Sequence, residues 1–142
     1  MVDELDLKIL ELLQSDGRLS FTEVAKRLKV NESTIRKRVL NLQEKRVIKR
    51  FSAIIDSSKI GLNTVAIVGI DVEPSMLLKS AQKLCEIQEI KYVALSAGDH
   101  MIMTKIWAKD GKELSRLISE RIGKVEGVKR TCPSIIIEEI KD

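Results

Sequence analysis

Along the first fifty residues the apolar positions keep a helical period. Leu5, Ile9, Leu12 and Leu13 recur at that spacing until Asp16-Gly17 supplies a stop with a residue free to take positive φ. This predicts a first helix over about Asp3 to Gln14. Ser20 followed by Glu23 is a capping-box pattern, and it opens a short second helix, Phe21 to Leu28, striped by Val24, Ala25 and Leu28. Asn31 is an N-cap candidate for a third helix, in which Ile35, Val39 and Leu42 fall within about 60° of arc. On that wheel Ser33, Arg36, Lys37 and Asn41 point away from the core.

The pattern then changes. VIKRFSAII is rich in β-branched residues and loosely alternating, and reads as a strand pair or a two-stranded wing. Asp56-Ser57-Ser58-Lys59, Gly61 and Asn63 make a polar linker over 56–63, which divides the chain into residues 1–55 and 64–142. TVAIVGIDV is a near-continuous apolar run, as expected of a strand buried on both faces. Pro74 starts a helix whose stripe, Leu77, Leu78, Ala81, Leu84 and Cys85, runs to about Ile87. IKYVALSAG and MIMTKIWAK are two strands separated by Gly98-Asp99-His100. Leu114, Leu117, Ile118, Ile122 and Val125 form a second amphipathic helix after Asp110-Gly111. GVKRTCPSIIIEEI is the last strand, with Pro133 at an edge position or a bulge. The order β-α-β-β-α-β is ferredoxin-like, so the fold class is α+β: an N-terminal winged helix-turn-helix followed by a ferredoxin-like domain.

Charge sharpens this picture. The 142 residues carry a net +4, unevenly spread. From Arg18 to Arg50 there are 11 bases against Glu23, Glu32 and Glu44, which leaves +8; residues 1–17 carry −4, and residues 56–142 have 13 bases and 13 acids. A charged helix face is ordinarily only solvated. Here, though, a basic head adjoins a neutral body, as in a polyanion-binding module attached to something else. No apolar run approaches the roughly 18 residues of a membrane span, and Met1 to Asp6 is acidic where a signal peptide is basic. A soluble, cytoplasmic protein without membrane attachment is expected. Cys85 and Cys132 lack a CxxC partner and are expected to be reduced, mostly buried thiols.

Two short helices joined at Lys29-Val30, the second of them basic, form a helix-turn-helix, whose second helix lies in the major groove of double-stranded DNA. Arg36 or Lys37 suits guanine O6 and N7. Arg38, Lys45, Arg46 and Lys49 lie off that arc or beyond it and suit phosphates. Ser33 and Thr34 add hydroxyl and helix N-terminal N–H donors to a phosphate, and Asn41 completes the candidate set.

From its first helix to its wing, LDLKILELLQSDGRLSFTEVAKRLKVNESTIRKRVLNLQEKRVIKRFSAIID resembles the N-terminal signature of the Lrp/AsnC, or feast/famine, transcription regulators of bacteria and archaea. An archaeal member is expected. The second half is similar to that family's amino-acid-binding module, more by topology than by residue. Lys29 stands where many members have glycine. The resemblance implies an effector site under the loop Gly98-Asp99-His100-Met101, similar to a Gly-Asp-aromatic-Asp stretch, with Met101 departing from the aspartate. In relatives the effector sits between dimers, which carries over to Gly98, Asp99, His100, Met101, Ile102, Met103 and Thr104, to Ile118 and Ile122, and to Pro133, Ser134 and Ile135. Glycine admits a ligand close to the backbone, exposed N–H groups suit an α-carboxylate, and Asp99 suits an α-ammonium. Without the resemblance, an ordinary hairpin turn explains Gly98-Asp99 as well. Trp107 and Met103 are expected in the core or at a subunit contact.

Two other readings of the architecture fare worse. An RNA-recognition sheet needs stacking aromatics, and these strands offer only Tyr92 and Trp107. A haem-precursor decarboxylase of the same architecture needs several histidines or arginines converging on its substrate, and this chain has one histidine. A purely structural oligomerisation protein does not explain the +8 stretch. The expectation is therefore a sequence-specific DNA-binding regulator with a small amino-acid effector, forming a homo-oligomer, a dimer assembling to an octamer. No catalytic residue, metal or cofactor is expected. Glu113 and Glu120 leave a basic effector open.

Overall fold

The computed structural model describes residues 1–142 and divides into two compact units, Met1–Ile54 and Ile55–Asp142. The first unit is three helices: α1 (Glu4–Ser15), α2 (Phe21–Leu28) and α3 (Glu32–Glu44). Helix α1 opens on a reciprocal cap, in which the Asp6 N–H donates to the Asp3 carboxylate at 2.9 Å and the Asp3 N–H donates to Asp6 at 3.1 Å. Ser20 caps α2 by accepting the Glu23 N–H at 3.1 Å. The expected side-chain cap of α3 is absent. Asn31 makes no such bond, and its carbonyl instead accepts the Thr34 and Ile35 N–H groups.

Ile9, Val24, Ala25, Ile35 and Val39 form the core of this unit, roofed by Leu5, Leu12, Leu28, Val30 and Ile48. Burying each of the larger side chains contributes about 1.5–3 kcal/mol, which is what holds three short helices together. Helices α2 and α3 both end in a cation forced into the left-handed region, Lys29 at φ 57° and Arg46 at φ 56°. Beyond each, an N–H reaches back across the last turn, Val30 to the Ala25 carbonyl at 3.1 Å and Val47 to Leu42 at 2.9 Å.

The strand pair expected in VIKRFSAII does not form: no strand lies between α3 and Thr64. A strand needs a ladder partner, and the first unit supplies none, so Phe51 and Ile54 stay exposed.

The second unit comprises β1 (Thr64–Val72), α4 (Leu77–Cys85), β2 (Ile90–Leu95), β3 (Ile102–Ala108), α5 (Gly111–Leu117) and β4 (Val128–Ile135). The strands form one antiparallel sheet in the order β2-β3-β1-β4. Alternation decides which side is covered. Ala66, Val68, Ile70, Ile102 and Ile106 face α4 and α5 with Leu84, Leu114, Leu117 and Ile122, forming the core. The register gives the opposite face Val65, Ile67, Gly69, Asp71, Met103, Lys105, Trp107 and Tyr92.

Helix α5 runs on into a π-helical turn, Ile118–Ile122, closed by the Gly123 N–H to Ile118 carbonyl bond at 2.7 Å. Gly127, at φ +95°, lies where a Cβ would come within 2.6 Å of the Ser80 hydroxyl, so the start of β4 can press onto α4. Strand β4 stops at Ile135, short of the expected Ile140. It is an edge strand, as Pro133 requires. Both cysteines are free, but Cys85 is exposed rather than buried. No helix is long and apolar enough to cross a membrane.

Candidate functional site

Helix α3 presents Ser33, Arg36, Lys37, Leu40, Gln43 and Glu44 to solvent, because Ile35, Val39 and Leu42 take its other side into the core. Thr34 and Asn41 are half-buried at the flanks of that strip. Arg36 is held in place. Its Nη2 donates to Glu32 at 3.0 Å, its guanidinium lies 5.3 Å from the Phe21 ring centre, and Glu32 also accepts the Thr22 hydroxyl at 3.0 Å. Glu32 thus ties α2 to α3 while aiming a guanidinium outward. Lys37, Lys45, Arg46 and Lys49 are exposed, and none of them takes part in an ion pair of the chain.

Arg38 is placed differently from the phosphate contact expected of it. It turns to the start of α1, pairing with Asp3 and, at 3.3 Å, with Asp6, whose side chain is 3% exposed. The Arg38 guanidinium holds the Asp3 carboxyl below its usual range, with the Asp6 backbone N–H as a second cause, and the two carboxylates in turn raise Arg38. Two carboxylates neutralise this cation, so it braces α3 against α1 rather than facing a polyanion.

The loop between β2 and β3, Ser96 to Met101, is tied at its ends. The Ser96 N–H donates to the Met101 carbonyl at 2.9 Å, and the Ser96 hydroxyl donates to the His100 carbonyl at 2.5 Å. Gly98 and Asp99 form the exposed tip, and a Cβ at Gly98 would meet nothing within 4 Å. Asp71 reaches the loop from β1. One of its oxygens accepts the Met101 N–H and the other lies against His100 Nδ1, both at 3.2 Å. The hydrogen bond with His100 pulls the Asp71 carboxyl below its ordinary range, burial opposes, and the Met101 N–H adds to the lowering.

A single chain does not bring the remaining effector candidates together. Ile102 and Thr104 face the helices, Ile122 meets them in the core from the turn after α5, and all three are buried, Thr104 donating to the Val68 carbonyl at 2.9 Å. Ile118 is half-buried against the same core. Ile102, Thr104 and Ile122 have no surface open to a ligand, the first two because strand alternation sends every second residue after Met101 inward. Only Met103 of that stretch lies on the opposite face. Pro133, Ser134 and Ile135 are exposed on β4, with β1 between them and β3. Pro133 is in register with Val68, whereas the loop meets β1 at Asp71. A groove of about 450 Å³ runs elsewhere, between α4 and the segment after α5, and three of its four cations, Lys79, Lys83 and Arg121, are paired with Glu126, Glu86 and Glu89, while Lys124 takes part in no ion pair. Sequence reasoning missed Asp71, Gly69, Glu32 and Leu40. A carboxylate inside the apolar run TVAIVGIDV was the signal for the first.

Comparison with known proteins agrees with this geometry. Residues 2–43 match the AsnC-type helix-turn-helix domain, and residues 65–142 match the Lrp/AsnC ligand binding domain. The HTH-type transcriptional regulator LrpA of Pyrococcus horikoshii is 46% identical over 99% of this chain and all of its own length. LrpA1 of Halobacterium salinarum is 33% identical over 94% of each chain. Among solved structures, LrpC of B. subtilis superposes with TM-score 0.86 at 26% identity over 99% of this chain and 98% of its own. AsnC of E. coli gives 0.87 at 21% identity over 100% and 96%, a likeness of fold. These relatives are regulators rather than enzymes, so the decarboxylase reading is set aside. With both halves matched and close to half the residues shared with LrpA, the chain belongs to the Lrp/AsnC family of helix-turn-helix transcriptional regulators.

Proposed function

We propose that the chain binds double-stranded DNA with a division of labour along α3, and that a small amino acid seated at the Gly98-Asp99 loop modulates this binding. The observation that carries the DNA half is the contrast among cations. Arg36 is preorganised and points outward, Lys37, Lys45, Arg46 and Lys49 are exposed and unpaired, and Arg38 is consumed internally. Arg36 or Lys37 reads guanine in the major groove, Ser33 and Thr34 take a phosphate at the start of the helix, and Lys45, Arg46 and Lys49 meet phosphates. Leu40, 52% exposed on the same face, suits a thymine methyl, and Asn41 flanks it.

Val65, Ile67, Met103 and Trp107 on the sheet's uncovered face support a homodimer in which two sheets pack together. A dimer presents two reading helices, for half-sites about 10 bp apart or multiples of that spacing. An effector between dimers, gathering Gly98 to Met101 and Met103 from one chain with Ile118 and Pro133 to Ile135 from others, would bias assembly toward an octamer by favouring one arrangement over another. A coupling of about 1–3 kcal/mol shifts DNA affinity roughly 5- to 150-fold. The regulator acts in the cytoplasm, where its DNA is.

The test combines two variants and a screen. Arg36→Ala should cost about 1–3 kcal/mol on a selected site and relax one base position, while Lys45→Ala weakens every sequence alike. Identical losses on selected and random DNA would contradict the division. A thermal-shift screen of the twenty amino acids should give one or more hits, since a ligand at 100 times its Kd adds about 2.7 kcal/mol. Asp99→Ala should remove them, and a normal titration in that variant would take Asp99 out of the site.

A further inference from the structure

Gly69 and Asp71 are alternate residues of β1 and so lie on the same face of the sheet, the one turned from the helices. The His100 ring lies directly over Gly69. A Cβ there would come within 2.2 Å of the ring's Cδ2 and 2.4 Å of its Cγ, so only glycine leaves the strand low enough for the imidazole to lie on it. The same ring turns its Nδ1 to Asp71, and the other oxygen of Asp71 takes the next backbone N–H, that of Met101. Both His100 and Asp71 are about one-quarter exposed. Arg130, opposite Asp71 on β4, adds positive charge to the surroundings of the carboxylate. A seat and a two-point grip therefore act on one end of the loop, two residues from Asp99, while Ser96 closes the other end.

We propose that Asp71 is a positioning residue of the effector site: with Gly69 and His100 it forms a latch on β1 that fixes the Gly98-Asp99 tip for the ammonium and carboxylate of an amino acid. The proposal rests on the effector reading of the loop given above. Fixing the tip in advance removes ordering that the ligand would otherwise have to impose, so loss of the latch lowers affinity even though Asp71 need not touch the ligand.

The experiment uses the full chain and two readouts. Amide hydrogen exchange without ligand follows the Met101 N–H. Thermal-shift titration uses whichever of the twenty L-amino acids moves wild-type melting most. Asp71→Ala and His100→Ala should each speed Met101 exchange about ten-fold, the scale of one net hydrogen bond, and raise the apparent Kd by a similar factor. His100→Asn puts an amide donor near the Nδ1 position and should restore both readouts to within about three-fold of wild type, a rescue that simple loss of packing over Gly69 does not give. Gly69→Ala, which unseats the ring with both polar partners present, is the second route to a loosened tip, and an unchanged Trp107 emission spectrum confirms that each variant is folded. Faster exchange with unaltered amino-acid affinity overturns the proposal, as does unaltered exchange in Asp71→Ala. If no amino acid moves wild-type melting, the effector reading fails and takes the proposal with it. An affinity that is measurable and indifferent to Asp71 sinks the proposal alone.

Discussion

Ile122 separates a core residue from a ligand-lining one. The family resemblance places it in the effector site, whereas its side chain is wholly buried among Leu84, Leu114 and the sheet. Ile122→Ala removes three carbon groups from that core, a transfer loss of about 2.4 kcal/mol at ~0.8 kcal/mol each. A residual cavity of a few tens of Å³ adds roughly 1 kcal/mol, for a total of about 3 kcal/mol within the usual range for such truncations. In a unit of this size that lowers Tm by roughly 12–24 °C. Trp107 is the chain's single tryptophan and lies in the second unit, so urea melts followed by its fluorescence, at fixed protein concentration, report this unit. Ile122→Val should cost only about 0.5–1.5 kcal/mol. A loss below about 1 kcal/mol for the alanine variant, accompanied by a lost amino-acid response, would refute the core assignment and return Ile122 to the ligand.

Other consequences concern the first unit. Lys29→Gly and Arg46→Gly relieve left-handed strain of about 1–2 kcal/mol per residue, offset in part by the freedom of glycine in the unfolded chain, so each should stabilise by roughly 0.5–1 kcal/mol in urea melts. Arg46→Gly should also shallow the salt dependence of DNA binding by about one unit, and an unchanged slope would remove Arg46 from the interface. Asp3 has a depressed native pKa, so its contribution to stability is fully present above the unfolded value of about 3.9 and is lost as pH falls through the native one. The midpoint of helix unfolding followed by circular dichroism should accordingly drop more steeply below about pH 4 in wild type than in Arg38→Gln, with the Trp107 transition the same in both. Equal acid sensitivity of the helix transition would count against the brace.

The helices were legible because burial imposes their period. Ile35, Val39 and Leu42 mark the buried side of α3 in the sequence and occupy it in the structure. The order of strands and helices in the second unit was legible for the same reason, through alternation around Val68 and Ile70. VIKRFSAII was misread because composition reports β-propensity but not whether a partner strand exists. Arg38 was misread because a helical wheel shows angle and not neighbours: Asp3 and Asp6 lie more than thirty residues away in sequence and are brought to it by packing of α1 on α3. The effector set scattered for a related reason. Residues at successive strand positions, such as Ile102 and Met103, leave on opposite faces, and a run carried over from a family as a block includes both.

The central claim, that unpaired cations at and beyond the end of α3 exist to meet phosphates, is most directly tested by the salt dependence of DNA binding. The slope of log K against log salt is to be measured for wild type and for a Lys45→Ala, Arg46→Ala, Lys49→Ala triple variant on the same duplex. Three lost phosphate contacts should reduce the slope by about 2.7 units per bound chain. A triple variant that keeps the wild-type slope would contradict the account.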